Sequence, residues 1–141
     1  MFLLLSVFGL VVVMDQVTKA MIVARLQEGA FTAGIGGVRF RHVTNRRNPW
    51  GSIRAVRLMM VVWLALVVMT GIVGALIQIP ALHIALGALA GGATGNLIDG
   101  ISRSGVTDFI DLRVWPVFNL ADTAIVAGAV FLLWTLLHVQ R

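Results

Sequence analysis

The chain has 141 residues, 59% of them hydrophobic and only 12% charged, with a mean hydropathy of +0.96. So apolar a chain belongs to the membrane class, since soluble domains carry about twice that charged share. With no cysteine it can hold neither disulfides nor thiolate metal sites, and its net charge of +5 sits in arginines clustered between apolar stretches, which points to anionic lipid headgroups and away from nucleic acid.

A membrane-spanning helix needs about 20 apolar residues, and four segments qualify. The first covers residues 2–26 and is interrupted by Asp15 and Lys19. It has no basic leading region, and polar residues follow Met14 where a cleavable leader would show small ones, so it reads as a retained span. Asp15 and Lys19 are four apart, hence on one helix face where they can pair. A structural pair that brings a polar face into the bundle is the first reading, ahead of a direct chemical role.

A long connection, about residues 27–54, comes next. Gly29, Gly34, Gly36 and Gly37 read as turns. Val38-Arg39-Phe40-Arg41-His42-Val43 alternates with a period of two, which predicts a strand with Val38, Phe40 and His42 on one side and the two arginines on the other. Open strand edges cannot face lipid. Residues 29–54 are therefore expected to form a small sheet on the membrane surface.

The second span, 55–79, is interrupted early by Arg57, and Pro80 separates it from the third, 81–98, so the two form a hairpin. Gly91-Gly92-Ala93-Thr94-Gly95 is a run of small residues of the kind that lets helices approach closely. Asn96 and Asp99 follow on one face at the end of that span, suited to capping the helix or holding a neighbouring loop. A short connection, 100–115, carries Arg103, Asp108, Asp111 and Arg113. The fourth span, 116–138, has Asp122 within its first two turns. Asn119-Leu-Ala-Asp122 echoes Asn96-Leu-Ile-Asp99. No boundary or whole-chain repeat divides residues 1–141, which read as one domain. His42, His83 and His138 are scattered and show no metal-ligand spacing.

Ionisable groups inside a membrane are functional candidates by default, because one at mid-bilayer costs roughly 2.5–3.5 kcal/mol to insert. Asp108 lies in the apolar stretch Val106-Thr107-Asp108-Phe109-Ile110-Asp111. The fourth span runs back from that connection, so Asp108 and Asp122 are expected near the same membrane face. Two carboxylates converging in a poorly hydrated site share one proton, since like charges about 3 Å apart cannot both ionise. That arrangement suits an aspartic peptidase: the ionised member takes a proton from water while the protonated one donates to the scissile carbonyl oxygen. It suits a proton or ion pathway as well, and physics alone leaves both readings open.

The motifs are more specific. Asp15-Gln16-Val17-Thr18-Lys19, the run Gly91 to Asp99, Val106 to Asp111, and Val117-Phe118-Asn119-Leu120-Ala121-Asp122-Thr123-Ala124-Ile125 together resemble the lipoprotein signal peptidases, also called signal peptidase II, over nearly the whole chain. The resemblance implies an all-α membrane fold of four transmembrane helices with a small extracytoplasmic β-sheet on the membrane surface. It implies that Asp108 and Asp122 are the catalytic pair, with Asp15, Lys19, Asn45, Asn96, Asp99 and Asn119 shaping the site. It implies an aspartic endopeptidase that cleaves diacylglyceryl-modified prolipoproteins just before the lipidated cysteine, acting as a monomer in the bacterial inner membrane without metal or cofactor. Membrane phospholipids would meet the interfacial arginines.

Two departures stand out. His42-Val43-Thr44-Asn45-Arg46-Arg47-Asn48-Pro49-Trp50-Gly51 places Arg47-Asn48-Pro49 where the family has Gly-Ala-Ala, and Gly100 stands where the family has arginine. Arg103 is the candidate to supply the missing charge. These changes motivate an alternative, a homologue that binds lipoproteins or takes a narrow substrate set without standard cleavage. Charge counting also conflicts with the family. The first and third connections and their flanks hold nearly all the arginines, which the positive-inside rule would place in the cytoplasm. The resemblance places that side, with the active site, at the periplasmic face. We follow the resemblance, because arginines in a substrate-binding sheet have another reason to be there.

Overall fold

A computed structural model describes residues 1–33, 36–46 and 53–138. The elements run α1 (Phe2–Arg25), β1 (Phe31–Ala33), β2 (Arg39–Asn45), α2 (Ile53–Leu76), α3 (Pro80–Arg103), β3 (Val106–Asp111) and α4 (Leu120–His138). All four helices are long and apolar enough to cross a membrane. At 1.5 Å per residue, even the 19 residues of α4 rise about 28 Å, close to the thickness of a hydrocarbon core.

α3 is the central helix. More than half of its apolar window is buried inside the protein, against 17% or less for the other three. Its small residues make this possible. A Cβ on Gly91 would stand 2.9 Å from the Phe8 carbonyl oxygen of α1, and one on Gly92 would stand 2.5 Å from the Ala121 carbonyl oxygen of α4. The backbones of α1 and α4 thus rest directly on two different faces of α3, as small residues permit in lipid. α2 is attached more loosely. Trp63 Nε1 donates to Thr94 Oγ1 at 2.9 Å, and the buried His83 ring bonds through Nε2 to the Gly74 carbonyl oxygen at 2.9 Å, closing the hairpin. Pro80 begins α3, where its missing N–H has no intrahelical role to lose.

The three strands form one antiparallel sheet in the order β1-β2-β3. A register shift between Phe40 and Val43 interrupts the expected two-sided alternation. As a result His42 turns inward, its Nδ1 2.8 Å from the Leu26 carbonyl oxygen, while Phe40 stays exposed. Arg39 binds Asp111 Oδ2 through Nε at 3.1 Å and Nη2 at 2.7 Å, and its guanidinium lies over the Phe31 ring.

The structure amends several boundaries. The strand foreseen at Val38–Val43 runs from Arg39 to Asn45. The third span continues five residues past 98, so Asn96 and Asp99 lie inside a helix. The fourth helix begins at Leu120, four residues later than 116. Within the connection 100–115, Val106–Asp111 form a strand, β3, pinned on its far edge by Phe118: Ile110 N–H donates to the Phe118 carbonyl at 2.7 Å, and Phe118 N–H donates back at 3.1 Å. The fold is therefore a four-helix transmembrane bundle with a three-stranded antiparallel sheet at one end.

Candidate active site

The site grows from the start of α4. Asn119 caps that helix: its Oδ1 accepts the Asp122 N–H at 2.8 Å, and Asp122 Oδ2 accepts the Asn119 N–H at 3.2 Å. This is the reciprocal logic of a capping box, with asparagine and aspartate in the two roles. Because the cap occupies the amide oxygen, Asn119 Nδ2 must point away from the helix. It donates to Asp108 Oδ1 at 2.8 Å and to Asn96 Oδ1 at 3.1 Å. One asparagine therefore contacts both carboxylates, the first from β3 and the second from α4. Asn96 Nδ2 completes the link by donating to Asp122 Oδ1 at 2.8 Å, and Asn45 Nδ2 reaches Asp108 Oδ2 at 3.3 Å.

Beneath these groups lies a buried ionic layer. Lys19 and Asp15 are both fully buried and pair at 2.8 Å, and Lys19 Nζ also donates to Asn96 Oδ1 at 3.0 Å. Asp15 Oδ1 accepts the Ala121 N–H at 2.9 Å. Helix N-termini carry unpaired N–H groups and attract negative charge. Asp15 from α1 and Asn119 thus satisfy two successive donors of α4, across 106 residues in the first case. Asp99, also fully buried, accepts the Thr107 N–H at 2.6 Å, pairs with Arg103 and lies 3.6 Å from Lys19.

The electrostatics follow from this packing. Burial, and after it the negative charge of Asp122, raise the Asp108 carboxyl to about 6 against the opposing pull of the Asn119 and Asn45 amides and the Lys19 charge. Asp111 behaves oppositely. The Arg113 N–H and the Arg39 guanidinium hold its carboxyl below the usual range.

Two cavities meet the carboxylates. One of about 320 Å³, lined by Arg41, Asn45, Arg46, Pro116 and Val117, opens on Asp108. The other, about 430 Å³, is walled by Trp115, Phe118, Thr123 and Val126 and reaches Asp122. A polar side and an apolar side therefore flank the same pair.

All eight residues singled out from sequence (Asp15, Lys19, Asn45, Asn96, Asp99, Asp108, Asn119 and Asp122) fall into this one connected network. Gln16 was missed as a participant. Its Nε2 donates to Asp15 Oδ2 at 3.1 Å and to the Gly95 carbonyl at 3.0 Å, and its place beside Asp15 was the available signal. The backbone N–H groups of Thr107 and Ala121 were missed as well, and no side-chain motif announces them. The departure at Arg47-Asn48-Pro49 lies outside the described residues.

Comparison with known proteins identifies the family. The family model for signal peptidase (SPase) II matches residues 7–138. The chain is 39% identical to a lipoprotein signal peptidase of Moorella thermoacetica, covering 96% of this chain and 92% of that protein. It is 36% identical to one of Pelotomaculum thermopropionicum, covering 96% and 91%. Two solved bacterial membrane enzymes, each 24% identical, share the fold with TM-scores of 0.84 and 0.83, the first over 96% of this chain and 92% of the other, the second over 95% and 87%. The chain belongs to the signal peptidase II family of lipoprotein-processing hydrolases and is a multi-pass protein of the inner membrane.

Proposed function

We propose that this protein is an aspartic endopeptidase that removes signal peptides from diacylglyceryl-modified prolipoproteins, cutting before the lipidated cysteine, with Asp108 and Asp122 as the catalytic pair. The observation that carries the reading is Asn119, whose side chain holds Asp108 while its backbone N–H and amide oxygen hold Asp122. A carboxyl raised to about 6 next to a second carboxylate is suited to holding the one proton such a pair needs. The pair titrates as a unit.

In the proposed reaction a water molecule sits between the two carboxylates. The ionised member takes its proton as the oxygen attacks the scissile carbonyl carbon, and the protonated member donates to the carbonyl oxygen. In the second step the first carboxyl gives its proton to the departing amine, the second carboxylate takes a hydroxyl proton from the tetrahedral carbon as it collapses to the acid, and the pair again holds one proton. Lys19, Asp15, Asn96, Asp99 and Asn119 hold the pair in place, and Asn45 donates to Asp108 from the sheet. The polar cavity at Asp108 would take peptide backbone, and the apolar one at Asp122 would take the substrate's hydrocarbon. Interfacial arginines would meet phospholipid phosphates. The protein acts as one domain and a monomer, with the sheet and the pair at the periplasmic face and both termini inside.

Purified protein incubated with diacylated prolipoprotein, alongside Asp108→Asn and Asp122→Asn, tests this. Cleavage by the unmutated protein and none by either variant is the expected result. No cleavage at all would favour the homologue that binds without standard cleavage, which the Gly100 departure motivates. Cleavage surviving either substitution would remove that residue from the chemistry. Compartment-sensitive reporters on each terminus test the orientation, which a periplasmic C-terminus would overturn.

A further inference from the structure

Among the described residues the site holds more acidic groups than basic ones. Asp15, Asp99, Asp108 and Asp122 converge on it, and the described cations that touch these carboxylates are Lys19 from α1 and Arg103 from α3. Lys19 is already committed, since Asp15 Oδ2 lies at 2.8 Å and Asn96 Oδ1 at 3.0 Å, whereas Asp99 is farther at 3.6 Å. Arg103 lies one turn beyond Asp99 at the last residue of α3, half-exposed, and pairs with Asp99 Oδ1. The other Asp99 oxygen accepts the N–H of Thr107, the residue before Asp108. Between them Ser104, in a left-handed conformation, and Gly105 make a turn of only two residues. Gly105 is tight against β2, where an added Cβ would stand 2.9 Å from Thr44 Cγ2.

We infer that Arg103 is a positioning residue for Asp108. It neutralises Asp99, so that Asp99 can fasten the start of β3 to the end of α3 and so that Lys19 remains with Asp15 and Asn96. Without Arg103, Lys19 is the one cation among the described residues left within reach of Asp99. A lysine drawn toward Asp99 leaves the Asn96 amide oxygen, and Asn96 is the residue that donates to Asp122. Both carboxylates would then lose part of their alignment, one through β3 and the other through Asn96. The role fits the resemblance, which implies an arginine where this chain has Gly100: Arg103, three residues further along the same helix, supplies the charge instead.

The inference rests on the proposed peptidase reading, and the test separates the two. Unmutated protein, Arg103→Gln and Arg103→Lys are compared for kcat against diacylated prolipoprotein over a pH series, and for amide hydrogen exchange at residues 106–108. If unmutated protein does not cleave, the peptidase reading fails, and the exchange measurement still judges the positioning role. Arg103→Gln is expected to lower kcat roughly 10- to 100-fold, as displacement of reacting groups by about 1 Å does. It is also expected to speed exchange at Thr107 and to move the rate profile to higher pH, because removing a nearby cation favours the protonated carboxyls. Arg103→Lys keeps the charge and is expected to recover most of kcat and the original profile. Should Arg103→Gln fail to fold, Arg103→Lys alone decides: it must keep the profile and the slow Thr107 exchange. An unchanged profile and unchanged Thr107 exchange in Arg103→Gln would overturn the inference, as would an equal loss in both variants.

Discussion

Gly92→Ala isolates the contact on which Asp122 depends. A Cβ at this position would lie 2.5 Å from the Ala121 carbonyl oxygen, 2.8 Å from Ile125 Cγ1 and 3.3 Å from the Ile125 N–H nitrogen. Ordinary Cβ contacts begin near 3.4 Å, so the backbone of α4 must withdraw from α3 by about 0.9 Å. The obstructing atom belongs to the backbone, and no rotamer change can relieve it. Ala121 directly precedes Asp122, so the withdrawal carries the carboxylate away from Asn96 while Asp108, on β3, is left in place. Overpacking of this kind costs roughly 1–3 kcal/mol, and a displacement near 1 Å at a reacting group costs on the order of 100-fold in rate. The variant should therefore unfold at lower temperature in detergent and lose about two orders of magnitude in kcat on diacylated prolipoprotein. Gly71→Ala is the control, because nothing lies within 4 Å of a Cβ built there. A Gly92→Ala protein with the stability and kcat of the Gly71→Ala control would refute the claim that α3 and α4 touch backbone to backbone at this point.

Four further outcomes follow from the same geometry. Lys19→Met should lower stability by roughly 3–5 kcal/mol, the usual effect of stranding a buried partner, here Asp15; an unchanged thermal midpoint would show that the pair is not buried as described. Because Asp108 keeps its proton up to about 6, kcat/KM should fall as pH rises through that value, and Asn45→Ala should move this limb upward by removing a donor that favours the ionised carboxyl; a downward move would contradict the Asn45 contact. The same raised carboxyl stabilises the fold fully below about 3.8, and this contribution is lost as pH rises through about 6, so Asp108→Asn should flatten that part of the stability profile. Trp63→Phe should cost about 0.5–1.5 kcal/mol through its bond to Thr94, with kcat unchanged, since among the described residues α2 carries no group of the site; a loss of kcat would give α2 a role in the chemistry.

The membrane spans were legible because transfer from water to lipid is a property of each residue added along a short window, and hydropathy measures that sum. Their ends were less so. Asn96 and Asp99 looked like the end of a span because they are polar, yet α3 continues through both, since each finds its partners inside the bundle. β3 was hidden for a related reason. Val106, Thr107, Phe109 and Ile110 are good strand formers, but the strand is buried on both faces and shows no clean alternation. The pattern at Val38–Val43 did announce a strand with Phe40 and His42 on one side, and the register shift after Phe40 then parted them, burying His42 and leaving Phe40 exposed.

For the site, the amino-acid sequence determined the inventory: which carboxylates, asparagines and the lysine a mostly apolar chain retains, and the spacing that sets Lys19 one turn from Asp15. The motifs that resemble signal peptidase II separated a peptidase from an ion pathway, which carboxylates alone left level. Tertiary structure decided the rest. Only folding brings the Ala121 N–H to Asp15, turns the Asn119 amide toward Asp108 by using its oxygen as a helix cap, and carries Lys19 to Asn96 across the bundle. Those arrangements depend on backbone donors and on competition between distant charges for the same partner. Neither leaves a trace in composition or periodicity, because each is settled by which groups the packed helices leave unsatisfied.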